Sequence, residues 1–232
     1  MTLKKAVIAS IAFATLLGMH AKADAQQNNA TFVVSYIEAL PTAVEKTSAI
    51  LREMGKASKA QEGNQEVQIL ENIYRPQQFV VLEKWNDAAA QIAHAADAKI
   101  KNYRDELQPL LTAPYNEILA NGLLVGNTGP LGKNALYAVT HFDIIPPKKD
   151  DGIAAAQKMA EQSRQDNGNE RLDVLQVAIR PNHLTFIEVW RDRKALEGHE
   201  SENHVKDFRN TVQPWSGGLY DQRLFKPVSD TK

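Results

Sequence analysis

The stretch FIEVWRDRKALEGH (Phe186–His199) decides the fold, because a diverged copy of it, VLEKWNDAAAQIAH (Val81–His94), stands upstream. Both carry Glu, then Trp two residues on, Asp two after that and His seven later. The two tryptophans, Trp85 and Trp190, are 105 residues apart. The same offset aligns Arg75-Pro76 with Arg180-Pro181, Gln108-Pro109 with Gln213-Pro214, Tyr115 with Tyr220, and Gly63-Asn64 with Gly168-Asn169. Matches this widely spread at one ungapped offset identify a tandem duplication. One unit runs from about Thr31 to Leu119 and the other from about Leu136 to Leu224. They are joined by a Gly- and Asn-rich linker, Asn121 to Asn134.

Each unit reads as strand, helix, strand, strand, helix, strand. ATFVVSYIEA and ALYAVTHFDI are short β-branched and aromatic runs, and Pro41 or Pro146-Pro147 marks where a helix can begin. TAVEKTSAILREMGKASKA places apolar residues at helical spacing, and GIAAAQKMAEQSRQ occupies the same place in the second unit. Gly63 and Gly168 are expected as left-handed caps ending these helices. A hairpin follows around RPQQ or RPNH, with Pro at the first central position of the turn. Asp87 and Asp192 then sit just after the strand-ending Trp, where the N-cap of a second helix belongs. This order predicts an α+β fold built from two ferredoxin-like units, each one antiparallel sheet with helices on one face. The bare sheet faces are expected to cover each other, packing sheet to sheet as an intramolecular pseudo-dimer.

Composition excludes several classes of function. A formal net charge of -1 over 232 residues provides no basic field for nucleic acid. Hydrophobic residues at 43% and charged residues at 24% place the chain away from disordered sequences. The first 25 residues differ from the rest: MTLKK is a positive start, AVIASIAFATLLGM a short apolar run, and AKADA offers cleavage after Ala23 or Ala25. This reads as a secretory signal peptide, so the expected domains are 1–25 signal, 26–120 first unit, 121–134 linker and 135–232 second unit. A periplasmic or secreted location follows, with no stable membrane insertion after cleavage, since the apolar run is shorter than the roughly 20 residues a spanning helix needs. The absence of Cys leaves a buried core as the means of holding the fold together.

Glu188, Trp190, Asp192, Ala195, Leu196, His199, His204 and Phe208 together are similar to the motif of the antibiotic biosynthesis monooxygenase family, whose members form dimeric α+β barrels. The resemblance covers nearly all of the expected mature chain as two such domains. The first unit keeps Glu83, Trp85, Asp87, Ala90 and His94 but has Lys99 in place of the second His and Tyr103 in place of Phe208. The resemblance implies cofactor-independent oxygenation of a quinol or polycyclic phenol, with molecular oxygen as co-substrate. A deprotonated electron-rich phenol can itself reduce oxygen, so the protein need supply an apolar pocket, a base and a donor for the phenolate. His199, His204, Glu188 and Arg209 are the candidate catalytic residues. Trp190, Phe186 and Tyr220 are candidate pocket walls, and His141, Trp85 and His94 complete the candidate binding set. Core packing is the simpler role for both tryptophans, a structural ion pair for the Glu, and a surface or sheet-packing role for His141.

No cofactor is expected. On one continuous helix His199 and His204 would stand about 140° apart, which argues against a two-His metal site. Haem-degrading relatives, as the resemblance implies, carry an extra Trp on the second helix, where Ala95 and Glu200 stand here. The alternative function is an exported small-molecule binding protein without catalysis. An enzyme is expected to show a closed apolar cavity in the second unit with a His or Glu side chain pointing into it, and a binding module either a filled core or a cavity with no titratable group. Further homo-oligomerisation of the pseudo-dimer is left open.

Overall fold

The computed structural model describes residues 29–126, 131–132 and 134–228. The segment read as a signal peptide lies outside the described residues. In the first repeat, β1 (Thr31–Glu38), α1 (Val44–Lys59), β2 (Asn64–Asn72), β3 (Gln78–Trp85), α2 (Ala88–Ala96), α3 (Ala98–Leu107) and β4 (Asn116–Leu124) follow one another. The second repeats the order with β5 (Leu136–Asp143), α4 (Lys149–Ser163), β6 (Asn169–Val177), β7 (His183–Trp190), α5 (Arg193–Glu200), α6 (Asn203–Val212) and β8 (Asp221–Pro227). Among the described residues no helix is long and apolar enough to cross a membrane.

Within each repeat the strands pair antiparallel in the order expected of a ferredoxin-like unit, β4-β1-β3-β2 and β8-β5-β7-β6. The bare faces meet as expected. Phe32, Val34, Leu82, Ala120, Tyr137, Ile187 and Phe225 from both repeats form one core between the sheets. The sheet edges also join: β2 pairs with β8 from Leu70↔Pro227 to Asn72↔Phe225, and β4 pairs with β6 from Ala120↔Val177 to Leu124↔Val174. Closure into an eight-stranded barrel gives each strand two neighbours, with the β2–β8 seam limited to three residue pairs. This pairing carries β4 four residues into the segment read as linker, because β6 offers partners as far as Leu124.

The pseudo-twofold relation has a chemical consequence. Glu66 and Arg171 are equivalent positions, and they pair with each other, Arg171 Nη1 lying 2.7 Å from Glu66. Arg171 also holds the fully buried Asp173 at 2.6 Å. Tyr36 and His141, also equivalent, touch ring to ring at 5.2 Å. An identical pair of subunits would have placed Glu against Glu or Arg against Arg here. Duplication within one chain lets each site take complementary residues.

The second helix of each repeat is broken. Asp87 and Asp192 cap α2 and α5 as expected, accepting from the backbone N–H of Ala90 and Ala195. α5 then ends at Ser201, and Glu202, in extended conformation, starts α6. The glycines also differ from expectation. α1 ends at an αR Ala60, whereas Gly63 (φ 81°) and Gly168 (φ 88°) sit a few residues beyond their helices, in the turns leading to β2 and β6. A positive φ is required there by the turn into the strand rather than by the helix cap.

Candidate functional site

The strand-to-helix corner of the second repeat gathers its polar residues beneath the helices. β7 is buried on both faces, with Thr185, Ile187 and Val189 turned into the barrel and Leu184, Phe186, Glu188 and Trp190 turned toward the helices. Glu188 is therefore buried, 1% exposed, and accepts a hydrogen bond of 3.1 Å from the indole N–H of Trp190. Burial pushes its carboxyl up to about 7, against the pull of the Trp190 N–H; the charge of Glu200 raises it further and that of Arg209 lowers it. His199 lies on α5 with its ring 4.5 Å from that of Trp190 and its Nε2 3.5 Å from the Glu188 carboxylate.

The other side of His199 faces Asp166, a residue in the turn after α4. Asp166 Oδ2 lies 2.7 Å from Nδ1 of His199 and 3.1 Å from Nε2 of His204. His204 Nε2 is also 3.2 Å from the hydroxyl of Ser163, the last residue of α4. The side chains thus form one row: Trp190, Glu188, His199, Asp166, His204. Burial keeps the His199 imidazole below its ordinary pKa, opposed by the Asp166 hydrogen bond and charge. A neutral His199 that donates from Nδ1 to Asp166 turns its Nε2 lone pair toward Glu188, which suits a protonated Glu188. The row ends in a cleft between α4 and α6, of about 400 Å³, lined by Ala155, Lys158, Met159, His204, Asp207 and Phe208 among others.

The expectation that His199 and His204 diverge is corrected. The break at Ser201–Glu202 replaces continuous helical rotation and brings the two rings to 5.8 Å. With Asp166 they form a cluster of three potential metal-ligating groups, which the sequence reading of no metal site did not anticipate. Arg209 does not join the row: it lies 3.8 Å from Glu200 and over the ring of Tyr220. Phe186 and Trp190 are fully buried, the former packed between Phe142 and Phe208, so they are core residues and not walls of the α4–α6 cleft. Tyr220 packs on Phe142 at 6.2 Å. His141 faces the barrel interior, with Nδ1 3.0 Å from the Thr185 hydroxyl, far from this row in the fold.

In the first repeat Trp85 and His94 repeat the stacking at 4.5 Å, and His94 Nε2 stands 3.6 Å from Glu83. Its Nδ1 meets the side-chain oxygen of Gln61 at 2.6 Å. Burial lifts Glu83 to about 7, while burial and the charge of Arg104 lower His94 to about 4. Asp166 and Ser163 are the residues that the sequence reading missed. Their equivalents are Gln61 and Ser58, and the signal was present: Gln61 becomes Asp166 in the repeat where Lys99 becomes His204.

The family described as antibiotic biosynthesis monooxygenase matches residues 31–106 and again 135–211. A Bacillus subtilis protein named "Putative monooxygenase YcnE" is 30% identical over 84 residues, covering 36% of this chain and 88% of the relative. Among solved structures, a protein from Fusobacterium nucleatum described by the same two words is 12% identical with a TM-score of 0.77, covering 86% of this chain and 93% of that one. An anthrone oxidase-like protein is 14% identical with a TM-score of 0.68, covering 88% of this chain and 93% of that one. The last two likenesses concern the fold.

Proposed function

Since the chain belongs to the antibiotic biosynthesis monooxygenase family, we propose that it is an exported, cofactor-independent monooxygenase for a quinol or polycyclic phenol. In this reading the second unit (135–232) carries the chemistry and the first (26–120) completes the barrel. The observation that carries it is the Asp166–His204 contact at the mouth of the α4–α6 cleft. Asp166 accepts the Nε2–H of His204, which leaves Nδ1 as the base and stabilises the imidazolium that forms. His204 takes the proton from the phenolic hydroxyl, and the ammonium of Lys158 at the same cleft offsets the phenolate charge.

The phenolate passes one electron to oxygen, the resulting radical pair joins at a hydrogen-bearing ring carbon ortho or para to the oxygen, and a proton completes a hydroperoxide. Loss of the remaining C–H proton with cleavage of the O–O bond releases water and leaves the quinone. One phenol and one oxygen molecule give one quinone and one water, so no external reductant is needed. Met159 and Phe208 supply an apolar wall against which a flat ring can lie. The name of the anthrone oxidase-like structure supports the choice of substrate class.

Oxygen uptake by the purified protein with a panel of naphthols, anthrones and reduced quinones tests this. His204→Gln is expected to lower the rate at least a hundredfold, and Lys99→Gln, at the equivalent position of the first repeat, to leave it unchanged. Equal rates in wild type and His204→Gln would overturn the assignment. Export is tested by the N-terminus of protein recovered outside the cytoplasm, expected after Ala23 or Ala25. A second reading, a non-catalytic binding protein, is favoured by the filled core around Phe186 and Trp190; binding of the same phenols without oxygen uptake would select it.

A further inference from the structure

Asp166, His199 and His204 each present one ligand atom, and the three atoms lie within 4.8 Å of one another. We propose that these side chains form a binding site for a divalent transition-metal ion of the zinc class, with Asp166 Oδ2, His199 Nδ1 and His204 Nε2 as ligands. Zinc binds nitrogen and carboxylate oxygen at about 2.0–2.2 Å in tetrahedral geometry, so adjacent ligand atoms stand roughly 3.4 Å apart. The Asp166 contacts of 2.7 and 3.1 Å fall just inside that spacing, and small side-chain shifts open them to it. Two imidazoles and one carboxylate suit zinc, cobalt or nickel and are poorly matched to magnesium or calcium, which prefer all-oxygen sites.

Three features of the surroundings support a site. First, the imidazole nitrogen of His199 not facing Asp166 is directed at the Glu188 carboxylate, itself fixed by Trp190. An ion on Nδ1 displaces the proton held toward Asp166, and the proton shared between Glu188 and Nε2 then sits on Nε2; a metal-bound His generally donates its second N–H to such a carboxylate, which sets the tautomer and strengthens the ligand. Second, His204 lines the open α4–α6 cleft, so an ion has an entry path and a fourth position for water. Third, the first repeat keeps the carboxylate-backed histidine, His94 with Glu83, but replaces the other two ligands by the neutral Gln61 and the cationic Lys99. Lys99, exposed with its ammonium over the Tyr103 ring, offers no second imidazole, so the site belongs to the second repeat alone.

The site does not depend on the oxygenase reading. One consequence does rest on it: an ion on Nε2 of His204 leaves the proton on Nδ1 and removes the proposed base, so occupancy inhibits. The test is titration of the untagged, chelator-treated full chain with cobalt(II), read by its visible d–d absorption. One equivalent is expected to bind, to be displaced by zinc, and to raise the thermal midpoint. Asp166→Asn and His204→Gln should weaken binding at least tenfold, Glu188→Gln by roughly tenfold through the orientation of His199, and His94→Gln not at all. No cobalt band with the wild-type chain, or wild-type affinity in both Asp166→Asn and His204→Gln, would overturn the proposal. Because no substrate is involved, that failure leaves the oxygen-uptake result to stand or fall separately.

Discussion

Replacing Glu83 by Gln should stabilise the protein in mild alkali and do little in mild acid. Glu83 is 5% exposed, and its carboxyl is pushed up to about 7 from 4.5, with burial the largest cause. A folded pKa above the unfolded one means that the native state holds the proton more tightly, so the stability is fully present below pH 4.5 and is lost as pH rises through 7. At about 1.4 kcal/mol per pKa unit, keeping this carboxylate ionised in place costs on the order of 3 kcal/mol at pH 8. Gln preserves the shape and a donor toward His94 Nε2, which stands 3.6 Å from the carboxylate, and it never ionises. Urea unfolding of wild type and Glu83→Gln, followed by tryptophan fluorescence at pH 5 and pH 8, isolates this group, because the other titrating residues are common to both chains. The stability difference should grow in favour of the variant by about 2–3 kcal/mol between the two pH values. Parallel stabilities at both pH values would refute the inference that burial holds Glu83 protonated.

Packing sets the outcome of four further substitutions. Arg171→Met removes the cation that joins Glu66 to Asp173 and leaves the fully buried Asp173 carboxylate with only the Gly126 N–H and the charge of Arg164 to offset it, so unfolding free energy should fall by about 2–4 kcal/mol. Glu66→Gln, removing the more exposed partner, should cost clearly less; an equal loss would contradict the central role given to Asp173. Gly168→Ala forces a side chain to φ 88° and puts its Cβ 2.6 Å from that of Ala195, so a loss of about 1–3 kcal/mol is expected in thermal unfolding. Gly198→Ala on α5 meets nothing within 4 Å and should stabilise by about 0.5–1 kcal/mol, which makes it the internal control.

Much of the fold was legible because its signals are short-range. The N-caps at Asp87 and Asp192, the hairpins around Pro76 and Pro181, and the alternation along β7 each depend on residues within a few positions of one another. The duplication multiplied those signals by two, and bare sheet faces implied the pairing of the repeats. In the candidate site the same local reasoning found Glu188, Trp190 and His199, which one corner carries together. It also named Arg209, whose side chain turns instead to Glu200 and Tyr220, a choice between neighbours that spacing does not encode.

The sequence by itself determined two copies of a strand–helix unit and the Glu-Trp-Asp-His corner that each contains. Only the tertiary structure decided what those corners face. The closure of β2 on β8 and β4 on β6, the meeting of Glu66 with Arg171, and the arrival of Asp166 between two histidines all join residues far apart in the chain. Backbone propensity and capping act within a turn or two, so they can place His199 and His204 on their elements. The break between α5 and α6 and the packing of α4 against α6 set the distance between them, and with it the chemistry available to the site.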